Sequence, residues 1–363
     1  MTIRGKLLNY PYILTYTEDN ALQKRRNQAL NTSLNTRLLR IFAVITAIGA
    51  YVIILLGVLV TATGSGNGCG NTWPFCHGQI IPGTITIAGL IEYSHRFSAS
   101  IDGTLVVILV VWAWLTYRKD FRVKLYAFLS ILFIVLQGAL GALTVVYEGT
   151  FAFNWILSIH FGLSLIALGS VVLLMIRLFQ LGRGEQSTEE KGNAGIRRLQ
   201  WPVWGLAVYT YIVVYTGALV EHTGAVTGCG SDQFPTCSTY LPGFASLAGI
   251  QMIHRYATGL LCLFVLTLVI VIVRKYREYH DVVLAAWWCL ILIALQAISG
   301  MLNVFTEGQM LASLLHATLI SVFFSVLCYL CAQVGWPGSH RRALAAQQER
   351  TREPIQEIVV HKS

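Results

Sequence analysis

The stretch Ile41–Thr63, IFAVITAIGAYVIILLGVLVTAT, runs for 23 residues without a charge. A helix needs about 20 apolar residues to cross the hydrocarbon core of a bilayer, so this run is long enough to span. The rest of the chain has the same character. Of its 363 residues, 55% are hydrophobic and only 12% are charged, where a soluble domain carries about 25% charged residues. The composition specifies a membrane protein with many spans.

Lysine and arginine mark its topology. Of 26 such residues, 24 fall in residues 1–40, 118–124, 177–198, 274–277 and after 340. The intervening segments 64–91, 147–154, 222–245 and 304–310 contain none. Positive residues resist translocation and stay on the cytoplasmic side. The net charge of +9 therefore reflects topology, and no nucleic-acid partner is implied. Eight spans satisfy the alternation, at roughly 41–63, 87–117, 123–146, 155–180, 201–222, 246–273, 282–303 and 311–335. Both termini are then cytoplasmic. The polar N-terminal stretch, with Lys24, Arg25 and Arg26, lacks the short apolar core of a cleavable signal peptide.

A second pattern is superimposed on the spans. Cys69, Cys76, Glu92, His95, Arg96, Gln137 and His160 are followed by Cys229, Cys237, Gln251, His254, Arg255, Gln296 and His316. The offsets are 160, 161, 159, 159 and 156 residues for the two cysteines, the Glu92–Arg96 motif, the glutamine and the last histidine. This predicts an all-α membrane protein of two tandem four-helix bundles. An even number of spans per half gives both halves the same orientation, related by a pseudo-twofold axis along the membrane normal. The expected division is a cytoplasmic segment 1–36, halves 37–182 and 200–338, a linker 183–199 and a tail 339–363.

The histidines carry the chemistry. Imidazole inside a membrane is costly and usually binds something. At about 1.5 Å per residue, His95 lies roughly 35 Å from the cytoplasmic Arg118, and His254 roughly 30 Å from Arg274. All four therefore belong near the outer surface, His95 paired with His160 and His254 with His316. A zinc or di-iron site needs more ligands than two imidazoles. Bis-histidine heme needs only two, the porphyrin supplying the others. Small residues beside the histidines, Ser94, Ser98 and Ala99 in one half and Ala257 and Gly259 in the other, leave room for a macrocycle or for helix packing. Arg96 and Arg255 are candidates for heme propionates or for lipid phosphate.

Cys69/Cys76 and Cys229/Cys237 lie in outer loops, where two short-loop disulfides are the simplest reading. A disulfide oxidoreductase is the alternative. Cys262, Cys289, Cys328 and Cys331 lie in apolar spans and read as packing residues.

The repeat breaks at one informative place. Glu92 stands one turn before His95, and Gln251 holds that place before His254. Residues at i and i+3 share a helix face, so Glu92 overlooks the same pocket as His95. One half carries a carboxylate able to act as base, nucleophile or charge stabiliser; the other keeps the shape without the charge. Glu148 and Glu307 read as matched outer-rim helix ends. Asp102, opposite Leu261 in the repeat, reads as polar lining or a satisfied bundle residue.

The segment Gly64–Pro82 with its two cysteines, followed by Glu92-Tyr-Ser-His95-Arg96, resembles the heme A synthase family, as do Gly217-Ala-Leu-Val220, His222-Thr-Gly-Ala225, Cys229, Pro235, Cys237 and His254-Arg255. The similarity extends over about residues 40–335. Departures are Glu221, where a basic residue is expected, and Gly70-Asn-Thr72 after the first cysteine; both are assigned to the outer loops. The resemblance implies oxidation of the ring-D methyl of heme O to the formyl of heme A in cytochrome oxidase assembly. It implies heme O held by His95 and His160, Glu92 acting on the methyl, and heme b held by His254 and His316 relaying electrons. Implied partners are the bilayer, heme O and heme A, a heme O synthase, oxidase assembly factors and an electron acceptor of unspecified identity. The implied location is a bacterial plasma membrane, or alternatively the mitochondrial inner membrane. The competing readings are a di-heme b-type electron-transfer protein, quinol-linked and without heme chemistry, and a parallel-repeat transporter.

Overall fold

The computed structural model describes residues 11–150, 152–184, 195–230, 232–237, 239–240 and 242–337. The expected tail 339–363 and most of the linker 183–199 lie outside them. The described residues form eight long helices: α1 (Pro11–Ala62), α2 (Ile87–Thr116), α3 (Phe121–Val146), α4 (Phe153–Arg183), α5 (Gln200–His222), α6 (Leu247–Lys275), α7 (His280–Phe305) and α8 (Met310–Val334). All eight are long and apolar enough to cross a membrane, α1 through Ser33–Ala62. Among the described residues there is no strand, only an isolated bridge between Cys76 and Gln79. The all-helical, eight-span expectation holds.

Local signals place the helix starts in the same register in both halves. Thr86 Oγ1 accepts the Gly89 N–H at 3.0 Å, and Ser246 Oγ accepts the Gly249 N–H at 3.0 Å. Each satisfies one of the free N–H groups of a first turn. Just before them, each outer loop presses onto the helix it precedes. A Cβ on Gly68 would fall 2.3 Å from the Gly89 nitrogen, and one on Gly228 would fall 2.6 Å from the Leu247 carbonyl carbon. Only glycine permits that approach, which seats each cysteine loop over the end of α2 or α6.

Each half closes on itself, α1 meeting α2 and α4 while α3 joins α2 to α4; α5–α8 repeat the arrangement. Between halves, α4 touches α5 and α8, and α8 touches α1, a pattern unchanged when the halves are exchanged. Tyr51 on α1 donates to Thr318 on α8 at 3.0 Å across this junction. The core is continuous there, uniting Ala50, Ile54, Leu165 and Leu168 with Leu261, Ile293, Phe323 and Leu327. The opposite faces are apolar yet open: Phe128, Val135 and Val146 on α3 are 56%, 63% and 71% exposed. In water such a surface would associate; against lipid it is satisfied. At the other end of the bundle from the cysteine loops, the buried Arg177 of α4 reaches the α3 cap residue Asp120 at 2.6 Å.

Candidate functional site

A single cavity of about 1080 Å³ is shared by both halves. It exceeds the roughly 300–1,000 Å³ of ordinary small-ligand pockets. Its walls include His95, His160, His254 and His316, together with Glu92, Arg96, Asp102, Arg255 and Gln251. The four histidines thus meet in one chamber rather than in two sealed ones. Within it His95 and His160 lie within electrostatic reach of each other, as do His254 and His316. The histidines of α2 and α4 are thus neighbours, as are those of α6 and α8.

Each ring packs on a glycine of the preceding helix. A Cβ on Gly57 of α1 would lie 3.2 Å from His95 Cε1, and one on Gly217 of α5 would lie 2.8 Å from His254 Cε1. The corresponding distances are 3.6 Å from Gly141 of α3 to His160 and 3.1 Å from Gly300 of α7 to His316. These glycines keep the repeat, at offsets of 160 and 159 residues. The small residues that seat the rings are therefore on the facing helix. The small residues beside the histidines in sequence, Ser94, Ser98, Ala99, Ala257 and Gly259, lie instead on the histidines' own helices α2 and α6. Gly217 stood in a quoted motif, but nothing in the sequence says which helix face its neighbour meets.

Glu92 is buried, at 4% exposure, so it sits beneath the first cysteine loop and is not open to water. Its Oε2 accepts the Cys69 N–H at 2.8 Å, and its Oε1 is paired with Arg96 Nη2. Arg96 in turn donates to the Phe75 carbonyl at 2.8 Å. The carboxylate, the arginine and the first cysteine loop form one hydrogen-bonded knot at the cavity wall. In the second half Gln251 Nε2 donates to the Val226 carbonyl at 2.7 Å, and Arg255 donates to the Pro235 carbonyl at 3.0 Å. Both arginines thus clamp the cysteine loops just before the second cysteine, Arg255 also reaching the carbonyl of Thr236, the counterpart of Phe75, at 3.4 Å. Arg255, which also stacks over Phe234, keeps two buried nitrogens, Nε and Nη2, without a hydrogen-bond partner. Of the two candidates for an anionic substituent, it is the one with unspent donors.

The cysteines pair as expected, Cys69 with Cys76 and Cys229 with Cys237, at Cα separations of 4.4 and 4.9 Å. Cys262, Cys289, Cys328 and Cys331 are free and lie within α6, α7 and α8. Asp102 is 3% exposed, with neither carboxyl oxygen hydrogen-bonded. It fits against α1 because residue 49 is glycine; a Cβ there would stand 2.2 Å from Asp102 Oδ1. Asp102 is therefore lining, not a bundle residue satisfied by hydrogen bonds.

Two residues need correction or addition. Glu221 is not in an outer loop: it belongs to the last turn of α5 and faces Ser313 and Asn303 of α8 and α7, themselves hydrogen-bonded at 3.1 Å. The helix ends at His222, as the span 201–222 predicts, so Glu221 lies inside it and meets these polar partners in its last turn. His222, absent from the ligand set, lines the cavity, sits within electrostatic reach of His160, and has a buried Nδ1 without a partner. Its place in the first half is taken by Ala62, so a search built on the repeat passes over it. Glu148 stands at the cavity rim near Glu92. Burial and the Glu92 charge push its carboxyl above the usual glutamate value, against the opposing pull of Arg96.

The residues fit a porphyrin. Pairs of imidazoles face one cavity, glycines leave clearance beneath each ring, and orphaned donors on Arg255 suit propionate. Among the described residues no group of three or more His, Cys, Asp or Glu side chains is gathered for a bare metal ion.

Fold and site together define the class: a multi-pass helical membrane protein in which α1–α4 and α5–α8 each turn a buried pair of histidines toward a common cavity. Residues 40–328 match the cytochrome oxidase assembly protein family. The chain belongs to that family. It is 39% identical over 293 residues to the heme A synthase of Alkalihalophilus pseudofirmus, covering 80% of this chain and 96% of the relative. It is 38% identical over 297 residues to that of Halalkalibacterium halodurans, covering 81% and 96%. The heme A synthase of Bacillus mycoides is 39% identical over 295 residues, covering 81% and 92%.

Proposed function

We propose that this chain is a heme A synthase of a bacterial plasma membrane, with both termini cytoplasmic, converting the ring-D methyl of heme O to a formyl group by successive hydroxylations. The observation that carries the reading is the asymmetry of a symmetric site: one cavity, two matched histidine pairs, and a carboxylate one turn before the α2 histidine where α6 carries the amide of Gln251. His95 and His160 hold the heme O substrate, and His254 and His316 hold heme b. Bound there, heme b supplies one-electron redox capacity toward an external acceptor.

The protein's own groups divide the remaining work. Glu92 is anchored by the Arg96 guanidinium and the Cys69 N–H, which fix its carboxylate in place. A preorganised anion of that kind stabilises positive charge developing on the substrate carbon without reorganising at the moment of reaction. Conversion of a methyl to a formyl group with water as oxygen source releases four protons and four electrons. Glu148, at the rim and with its carboxyl raised above the usual glutamate value by burial and the neighbouring Glu92, is suited to take protons from the cavity to the outer water. The two disulfide loops, clamped by Arg96 and Arg255, cover the outer end and restrict access of bulk water.

The test is expression in a host that makes heme O but has no heme A synthase, with pigment extraction and mass spectrometry. Formation of heme A that disappears in His95→Ala and His160→Ala is the expected result. Tight heme binding without formyl product would instead make the chain a di-heme electron-transfer protein.

A further inference from the structure

The two histidine pairs share their glycine seats but differ in what holds the other side of each ring. In the C-terminal half, Thr216 Oγ1 lies 3.0 Å from His254 Nδ1 and donates its own proton to the Val213 carbonyl at 2.8 Å. Ser299 Oγ lies 2.9 Å from His316 Nδ1 and donates to the Gln296 carbonyl at 2.9 Å. A hydroxyl has one proton. With that proton on the carbonyl, each oxygen accepts from the ring, so Nδ1 carries the hydrogen and Nε2 carries the lone pair. The Gln296 amide nitrogen, 3.0 Å from His316 Nε2, agrees with this tautomer, since it donates to that lone pair.

Neither tether exists in the N-terminal half. His95 Nδ1 and His160 Nδ1 are buried without a hydrogen-bond partner. The Ile53 carbonyl lies near His95 as Val213 lies near His254, but no hydroxyl stands between. The residues in register with Thr216 and Ser299 are Leu56 and Leu140, at the same offsets of 160 and 159 residues that relate the glycines.

We propose that Thr216 and Ser299 are positioning residues that preset His254 and His316 as Nε2 iron ligands and make the C-terminal half the site that keeps its heme, whereas Leu56 and Leu140 leave His95 and His160 free to take up and release a porphyrin. The proposal rests on the assignment of heme b to His254 and His316. Its physical basis is general. A ring already held by Nδ1 gives up little torsional freedom when it binds iron, and the hydrogen bond raises its basicity as a ligand. A substrate site has the opposite requirement, because its porphyrin must leave after each conversion.

The experiment uses the full-length, heme-loaded protein in detergent, with Thr216→Val, Ser299→Ala and the double variant. Heme b release is followed by transfer to excess apomyoglobin, alongside a redox titration and the low-temperature EPR spectrum of the ferric heme. Each lost tether is expected to weaken heme retention by about 10–100-fold, the usual effect of removing an outer-shell partner. The midpoint potential should rise, because a less basic imidazole stabilises ferric iron less, and Thr216→Ser should restore both. A release rate and potential unchanged in the double variant overturn the proposal. His254→Ala and His316→Ala serve as the control: tightly held heme in those variants refutes the heme assignment itself, whereas heme lost there but unmoved in the tether variants refutes only the tethers. If the double variant does not assemble, Leu56→Thr/Leu140→Ser in the native chain gives the reciprocal arm. Tighter porphyrin retention by the N-terminal half supports the proposal, and unchanged retention overturns it.

Discussion

Alanine at each of the four ring-seating glycines adds one methyl group at a position whose clearance differs. At Gly217 the new carbon would stand 2.8 Å from His254 Cε1; at Gly300 and Gly57 the gaps are 3.1 and 3.2 Å, and at Gly141 the gap is 3.6 Å. Carbon atoms in contact prefer about 3.5–4.0 Å. Gly217→Ala therefore has to drive the His254 ring back by roughly 0.7 Å, whereas Gly141→Ala needs no movement. Metal–ligand distances tolerate only about 0.2 Å of error, so a ring displaced by several times that either releases iron or strains the bundle. Overpacking of this kind costs about 1–3 kcal/mol, which is roughly 5- to 150-fold in affinity. The assay is heme content per protein and the low-spin optical spectrum of purified variants, with heme A yield read in parallel. Gly217→Ala should lose most of its heme b and Gly300→Ala less. Gly57→Ala should lower heme A yield, and Gly141→Ala should behave as the unmodified protein. Equal losses at all four positions, or the greatest loss at Gly141, would refute the idea that these glycines set ring clearance.

Glu92→Gln places in the first half the residue already found at Gln251, removing charge at nearly constant volume. Heme A formation should fall about 100-fold or more while the heme b spectrum is retained, and near-normal product would pass the role to Asp102. Thiol labelling of unfolded protein should count four free cysteines before reduction and eight after. Removing either bridge should cost about 2–3 kcal/mol in the chain-entropy account, read as a lower melting temperature in detergent. Asp120 supplies a pH test. Burial raises its carboxyl pKa, but the Arg177 guanidinium and the Val123 N–H outweigh that and leave it below the ordinary 3.8. A lowered folded value means that the stabilisation is fully present above pH 3.8 and is lost as pH falls through the folded value. Asp120→Asn keeps a good helix cap and removes the ion pair, at about 3 kcal/mol. The gap in melting temperature between the two proteins should hold at neutral pH and close below pH 3.8; a gap that persists there would mean that the pair is not its source.

Everything periodic or local was legible along the chain. Span number follows from runs of apolar residues, because a bilayer imposes a minimum length on each helix. The histidine pairs, both disulfides and the Glu92/Gln251 contrast follow from a repeat that survives at offsets near 160. What the chain could not disclose is how helix faces meet. That Gly57 underlies His95, that Thr216 holds His254 while Leu56 stands in register with it, and that His222 of one half lies near His160 of the other all depend on how α1 to α8 are rotated and set against each other. Helix packing allows a range of angles and rotations for the same hydropathy pattern, and a hydrogen bond is won or lost within a few tenths of an ångström. Glu92 makes the same distinction in a single residue. Its presence beside His95 is written in the sequence, but its fixation by Arg96 and the Cys69 N–H needed a loop folded back over the helix end through Gly68, a contact spanning residues that sequence periodicity does not connect.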